Sequence, residues 1–337
     1  MGWDTHLRPQ AEGLAVAAAG LFIDPVRPVE TAVITHGHAD HARAGHGTVY
    51  ATPETLAVMA ARYGEAFTEN RRPLPYGETV DLGPYRFSLH PAGHVIGSAQ
   101  VLIETADGRA VVSGDYKRQD DPTCVPFVTV PCDLFVTEAT FALPVFRHPD
   151  ASGEIARLIA SLALFPDRAH LVGAYSLGKA QRVIALLRAG GHHRTIYLHG
   201  AMERLCALYE SLGVPLGDLQ PVKDVDRAAL GGEIVLCPPS ALADLWSRRF
   251  GDPVTAFASG WMRVRARARQ RGVELPLVIS DHGDWEDLCT TIVETGASEV
   301  WVTHGQEDAL VHWCQTRQIR ARPLRLVGYG DEDEAAA

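Results

Sequence analysis

The chain has 337 residues, 46% hydrophobic and 21% charged; that suits one large core or two smaller ones and excludes a disordered, collagen-like or small disulfide-framed protein. Its 31 basic and 41 acidic residues leave a net charge of −10, which argues against a uniformly positive coat for nucleic acid but leaves room for a local basic groove. Fifteen histidines stand beside three lysines, Lys117, Lys179 and Lys223, a balance that suggests metal chemistry.

In chain order, residues 13–23 are apolar, but Asp4 and Glu12 precede them and they run into the strand-like Leu21-Phe22-Ile23-Asp24, so they read as part of the fold and not as a secretory signal. Short β-like runs follow at 32–35, 48–51, 85–89, 100–103, 110–113 and 134–137, bounded by Gly, Pro, Asp and His. One helix, expected over 52–63, interrupts them, with Pro53 in its first turn. From about residue 145 the pattern alternates: helix 154–164, strand 171–175, helix 178–188, strand 195–198, helix 201–211, strand 233–237, helix 241–249. Such alternation indicates a parallel α/β unit. After Trp261 the β-rich texture returns at 277–280 and 300–303, around a helix at 285–295. The expectation is an α/β module at 146–260 inserted between two halves, 1–145 and 261–337, of a β-rich domain. The acidic tail 331–337 reads as a solvated terminus. Six cysteines without a Cys-x-x-Cys pair read as reduced thiols of a cytoplasmic protein, and no apolar run approaches the roughly 20 residues of a membrane span.

The strongest chemical signal is Thr35-His36-Gly37-His38-Ala39-Asp40-His41, three imidazoles and a carboxylate directly after a strand. Nitrogen and oxygen ligands of this kind suit zinc, and manganese equally. His94, Asp115 and His304 repeat one arrangement, a ligand-type side chain just beyond a short strand, which suggests a shared site at one sheet edge.

These motifs resemble the metallo-β-lactamase fold, a four-layer αββα sandwich with a two-metal edge. Asp24 resembles its first acidic motif, which orients the metal loop. The inserted α/β module, Glu138, Ser280-Asp281-His282 and Thr303-His304-Gly305 resemble the β-CASP nucleases, whose cap domain is inserted in this way; Tyr175 to Arg182 resembles the start of a cap helix in that group. Leu7-Arg8-Pro9-Gln10, Phe22-Ile23-Asp24-Pro25 and Ala258-Ser259-Gly260-Trp261 look closest to bacterial ligase-associated DNA exonucleases.

The resemblance implies a phosphodiesterase with two divalent cations, zinc or manganese, acidifying a water and clamping the phosphate. His36, His38 and His94 would hold one ion, Asp40, His41 and His304 the other, with Asp115 bridging. His282 would donate the leaving-group proton, oriented by Glu138. Phosphate donors are expected at Ser176 and Lys179, on a strand-to-helix turn, and at Arg263 and Arg265 in a run of alternate arginines that offers one basic face if it is a strand and a spread of charge if it is a helix. DNA ends, preferably single-stranded, are the favoured substrate, with a DNA ligase and a helicase as functional partners. A third-motif histidine, present here as His304, is typical of RNA-processing members and keeps RNA as the alternative. A non-catalytic nucleic-acid scaffold is the third reading.

Overall fold

The computed structural model describes residues 2–326; the acidic tail lies outside them. The N-terminal half runs β1 (Leu7–Pro9), β2 (Leu14–Val16), β3 (Leu21–Ile23), β4 (Thr31–Val33), β5 (His46–Ala51), α1 (Pro53–Tyr63) and β6 (Thr68–Pro73). It continues through β7 (Thr79–Leu82), β8 (Tyr85–Pro91), β9 (Ala99–Thr105), β10 (Gly108–Val112) and β11 (Leu134–Ala139). Then come α2 (Ala151–Leu164), β12 (His170–Gly173), α3 (Lys179–Ala189), β13 (Ile196–Leu198), α4 (Gly200–Ser211), β14 (Leu219–Pro221), β15 (Ile234–Cys237), β16 (Val254–Ala258), α5 (Arg265–Gln270) and β17 (Leu275–Leu277). The chain closes with α6 (Trp285–Thr295), β18 (Glu299–Gly305), α7 (Glu307–Thr316) and β19 (Arg320–Pro323).

Three sheets result, ordered β1-β2-β3-β4-β5-β6, β19-β18-β11-β10-β9-β8-β7 and β14-β13-β15-β12-β16-β17. Strand alternation sorts the first two into layers. Val33, Val101, Ile103, Val112, Leu134 and Val136 meet in the core between them. Their chain neighbours Leu102, Val111 and Phe135 face outward onto Leu288 and Ile292 of α6 and Leu310 and Cys314 of α7. Ala32 and Ile34 face Leu56 and Met59 of α1. The order is helix, sheet, sheet, helix, the αββα sandwich that the sequence implied.

The third sheet is wholly parallel and packs α2, α3 and α4 into a core that also takes in Val58 of α1 and Ile96. Its last strand, β17, pairs with β16, so this sheet runs to Leu277, past the expected seam at 260. The strand expected at 277–280 is displaced for a related reason: the carbonyls of Ile279 and Ser280 accept hydrogen bonds from Lys179 and Arg182. The expected helix 241–249 is instead two 3-10 turns, Pro239–Leu242 and Ser247–Phe250. The Asp244 carbonyl takes both the N–H and the hydroxyl of Ser247, closing a local turn in place of a helical ladder. The six cysteines are free thiols, Cys124 half-buried and the others buried. No helix among the described residues is long and apolar enough to cross a membrane.

Candidate metal centre

The site grows from strand ends on one edge of the sandwich. Asp115, Glu138 and His304 follow or end β10, β11 and β18, which lie side by side and parallel. His94 follows β8, while Asp24 and the loop from His36 to His41 follow β3 and β4, a parallel pair. Close approach needs special backbone at several of these turns. A Cβ on Gly93, at φ +71, would sit 2.4 Å from the Lys117 carbonyl oxygen. His304 and Asp24 hold left-handed backbone at φ 54 and 44 although neither is glycine, the kind of local strain that persists where neighbouring structure enforces it.

Hydrogen bonds fix the imidazole tautomers. His94 donates its Nδ1–H to the Asp281 carbonyl oxygen at 2.7 Å, and His38 its Nε2–H to the Leu177 carbonyl oxygen at 3.3 Å. A carbonyl only accepts, so in the neutral rings the opposite nitrogens, His94 Nε2 and His38 Nδ1, carry lone pairs, and these face each other 2.9 Å apart. His41 donates Nδ1–H to Asp24 Oδ2 at 2.8 Å. Thr35 spends its hydroxyl proton on the same carboxylate at 2.6 Å, so toward His36 Nδ1, 3.0 Å away, its oxygen accepts. In the neutral ring His36 Nε2 is then a buried lone pair, 3.3 Å from Asp115 Oδ2. The same carboxylate oxygen lies 3.4 Å from His41 Nε2 and 3.8 Å from His94 Nε2.

Lone pairs turned toward one another and toward a carboxylate repel unless a proton or a metal cation lies among them. Two ligand groups meet this description: His36, His38, His94 and Asp115, and His41, Asp115 and His304, each with donor atoms within 4.8 Å of one another. The donor set therefore fits divalent metal, with Asp115 common to both groups. Asp40 sits beside the second group, its Oδ2 3.7 Å from His41 Nε2, and is half-buried.

The electrostatics agree. Burial and the charge on His41 push His36 and His304 down to about 3; burial and the charge on His282 hold His94 well below the usual range. Burial also presses on His41, but Asp115, Asp40 and Asp24 outweigh it and raise it to about 10. Without another cation, a proton on His41 answers the field of three carboxylates.

Beside these groups, His282 Nδ1 donates to Glu138, 3.0 and 3.1 Å from its two oxygens. Glu138 Oε1 also accepts the Tyr116 N–H at 2.8 Å, which holds the carboxylate in place. The ring of His282 lies 4.6 Å from that of His94, and Asp115, Glu138 and His282 form a third close group.

The residues expected to meet phosphate fare differently. Lys179 is 1% exposed, its ammonium 3.0 Å from Asp281 Oδ2 and donating to the Ile279 carbonyl oxygen at 2.9 Å. Ser176 is half-buried, and the N–H groups of the turn are spent internally: Gly178 on Gln181 Oε1, Lys179 on Leu177, Ala180 on Tyr175. Those three N–H groups are thus satisfied within the turn itself. Arg263 lies in a 3-10 turn and Arg265 opens helix α5, so the arginine run spreads its charge: Arg263, Arg265 and Arg269 are exposed, whereas Arg267 and Arg271 lie over Trp261 and Phe257. Sequence reasoning missed the Asp281 and Leu177 carbonyls as histidine orienters. Backbone acceptors carry no residue-type signal, although the adjacency of Asp281 to His282 was visible.

Residues 13–170 match the metallo-beta-lactamase superfamily. The chain carries a metallo-beta-lactamase superfamily domain. Among relatives, a probable DNA ligase of Opitutus terrae is 28% identical over 99% of this chain and 32% of the ligase. The endoribonuclease YSH1 of Mycosarcoma maydis is 28% identical over 60% of this chain and 28% of its own length. A ribonuclease of Thermus thermophilus is 28% identical over 56% of this chain and 50% of its own length. The chain thus spans half or less of each of these relatives. A protein of unknown function from Enterococcus faecalis V583 shares the fold, with a TM-score of 0.59 at 14% identity over 88% of this chain and 79% of the other.

Proposed function

We propose that this protein hydrolyses DNA from its ends, preferably single-stranded ends, as a metal-dependent exonuclease in repair. The observation that carries hydrolysis is the Glu138–His282 pair seated against Asp115. A bound pair of divalent cations, zinc or manganese, would supply Lewis acidity, acidifying the attacking water and neutralising phosphoryl oxygens. His36, His38 and His94 would hold one, His41, Asp40 and His304 the other, with Asp115 shared. Hydrolysis breaks one P–O ester bond, puts the water's hydroxyl on phosphorus and requires a proton on the leaving oxygen. His282 delivers that proton, and Glu138, accepting at Nδ1, holds the ring and stabilises its charged form before transfer.

DNA is favoured because the similarity extends over nearly the whole chain only, of the three relatives described, in the protein named a probable DNA ligase. End trimming supplies what strand joining needs, which makes a DNA ligase and a helicase the natural functional partners in a cytoplasmic repair setting. RNA cleavage is the second reading, supported by His304 and by the names of the ribonuclease relatives. Matched DNA and RNA strands labelled separately at each end, incubated with manganese or zinc, discriminate: mononucleotides released progressively from DNA are expected. RNA cleavage without DNA cleavage would overturn the proposal in favour of the second reading.

A further inference from the structure

Beside the metal centre lies a second buried charged cluster to which the sequence assigned no such part. Lys117, Lys179, Arg182, Asp121 and Asp281 are each 8% exposed or less. Lys117 Nζ is 2.6 Å from Asp121 Oδ2 and 4.0 Å from Asp281 Oδ1. Lys179 and Arg182 reach Asp281 at 3.0 and 3.4 Å, and Arg182 Nε lies 3.4 Å from Asp121. Buried ion pairs are weak contributors to stability, since desolvation offsets most of their attraction and apolar replacements often serve as well. Their geometry here does something more specific.

Lys179 and Arg182 stand in the first turn of α3, on the module that packs the third sheet. Between them they hold three consecutive residues ahead of His282: the Ile279 carbonyl, the Ser280 carbonyl and the Asp281 carboxylate. The Asp281 carbonyl is the acceptor that fixes His94, and Lys117 Nζ donates to the carbonyl of His94 itself at 3.2 Å. One continuous set of contacts therefore runs from α3 to a metal-ligand candidate and to the proposed proton donor.

We infer that Lys179 and Arg182 are positioning residues: by gripping residues 279–281 they set His94 for metal, so that metal binding and the seating of α3 are thermodynamically coupled. This rests on the metal-centre reading but not on nuclease activity. Coupling of this kind is reciprocal, so metal should steady α3 as much as α3 favours metal.

The test uses the full chain, with zinc as the probe. Removing Lys179 leaves two cations against two carboxylates, a balanced cluster, so Lys179→Met is the variant of choice. Its zinc affinity, by competition with a chromophoric chelator, should fall about 10–100-fold, as for other residues that orient ligands, with the far-UV spectrum unchanged and with Lys179→Arg recovering most of the loss. Lys117→Met should weaken zinc in the same direction through His94. Wild-type zinc affinity in folded Lys179→Met overturns the inference. Hydrogen exchange on the unaltered protein tests it without any variant: zinc should slow exchange of the α3 amides, and unchanged α3 exchange on zinc binding also overturns it. If the unaltered protein binds zinc yet cuts no nucleic acid, the proposed function falls while this inference stands. If it cuts DNA while Lys179→Met holds zinc normally, the reverse is true.

Discussion

The histidine cluster around Asp115 and the ion cluster around Asp281 are both buried and both charged, and they touch through two carbonyls, those of Asp281 and His94, yet only the second closes on itself. In the ion cluster every cation has a carboxylate within 3.4 Å, and Asp281, although burial opposes its ionisation, is held far below the ordinary carboxylate range by Lys179, Lys117 and Arg182. In the histidine cluster each ring turns one nitrogen outward, to Asp24, Thr35, Leu177 or Asp281, and the other inward toward its neighbours and Asp115. A protein that needed only a polar core would pair these groups with each other. Outward donors with inward lone pairs are the arrangement that metal requires, and the contrast separates a site built for an added cation from one complete in itself.

Asp115→Asn should break the contrast most completely, because Asp115 belongs to all three close groups. Zinc at 100 times its dissociation constant should stabilise the unaltered protein by about 2.7 kcal/mol; the variant should lose that thermal shift and its nuclease activity together. An undiminished zinc-induced shift would show that Asp115 is not a ligand. His282→Ala should act differently, lowering kcat by about 10²–10⁴-fold while zinc content stays at the unaltered level. Equal loss of zinc and of rate would assign His282 to the metal shell and remove it as the proton donor.

How much of this contrast the sequence could show depended on where the information lay. His36, His38, His41, His94, Asp115 and His304 were legible because each is a ligand-type side chain just after a recognisable apolar run, and strand ends converge at a sheet edge. Strands were legible as short apolar runs such as 100–103 and 134–137, whereas the αββα layering was implied by the motif resemblance and not by any pattern within those runs. The role of Lys179 was hidden because its partner Asp281 lies 102 positions along the chain, and a helix-start lysine looks the same whether it meets solvent or a buried carboxylate. Strand β6, Thr-Glu-Asn-Arg-Arg-Pro, carries no such signal because it is an exposed edge with no apolar face to betray it. Helix 241–249 failed because a local Asp244–Ser247 turn outcompeted helical propensity.

The arginine run tests the surface counterpart of the same contrast, charge used for packing against charge left for a partner. Replacing Arg263, Arg265 and Arg269 together with alanine should weaken single-stranded DNA binding and flatten its salt dependence, the log–log slope shrinking by about 0.7 for each phosphate that is no longer neutralised. Arg267→Ala should instead lower stability, since its guanidinium lies 3.8 Å from the centre of the Trp261 ring. Binding measured from about 50 to about 300 mM salt, paired with urea denaturation, distinguishes the two; an unchanged slope in the triple variant would remove this face from the nucleic-acid path.

The smallest effect concerns a carboxylate that neither cluster neutralises. Burial and the neighbouring Asp284 push Asp287 up to about 6. An aspartate raised in this way keeps its proton in the folded state after the unfolded chain has lost it, so stability declines as pH rises from about 4 through about 6. Asp287→Asn should therefore stabilise the protein at pH 7 and leave it unchanged near pH 4. Each pKa unit corresponds to about 1.4 kcal/mol, but Asp287 is only partly buried and its charge favours the first turn of α6. The net gain expected at pH 7 is on the order of 1 kcal/mol, read from urea denaturation at both pH values. An equal gain at pH 4 would trace the effect to packing, because at that pH the carboxyl of the folded protein is protonated and, like the amide, uncharged.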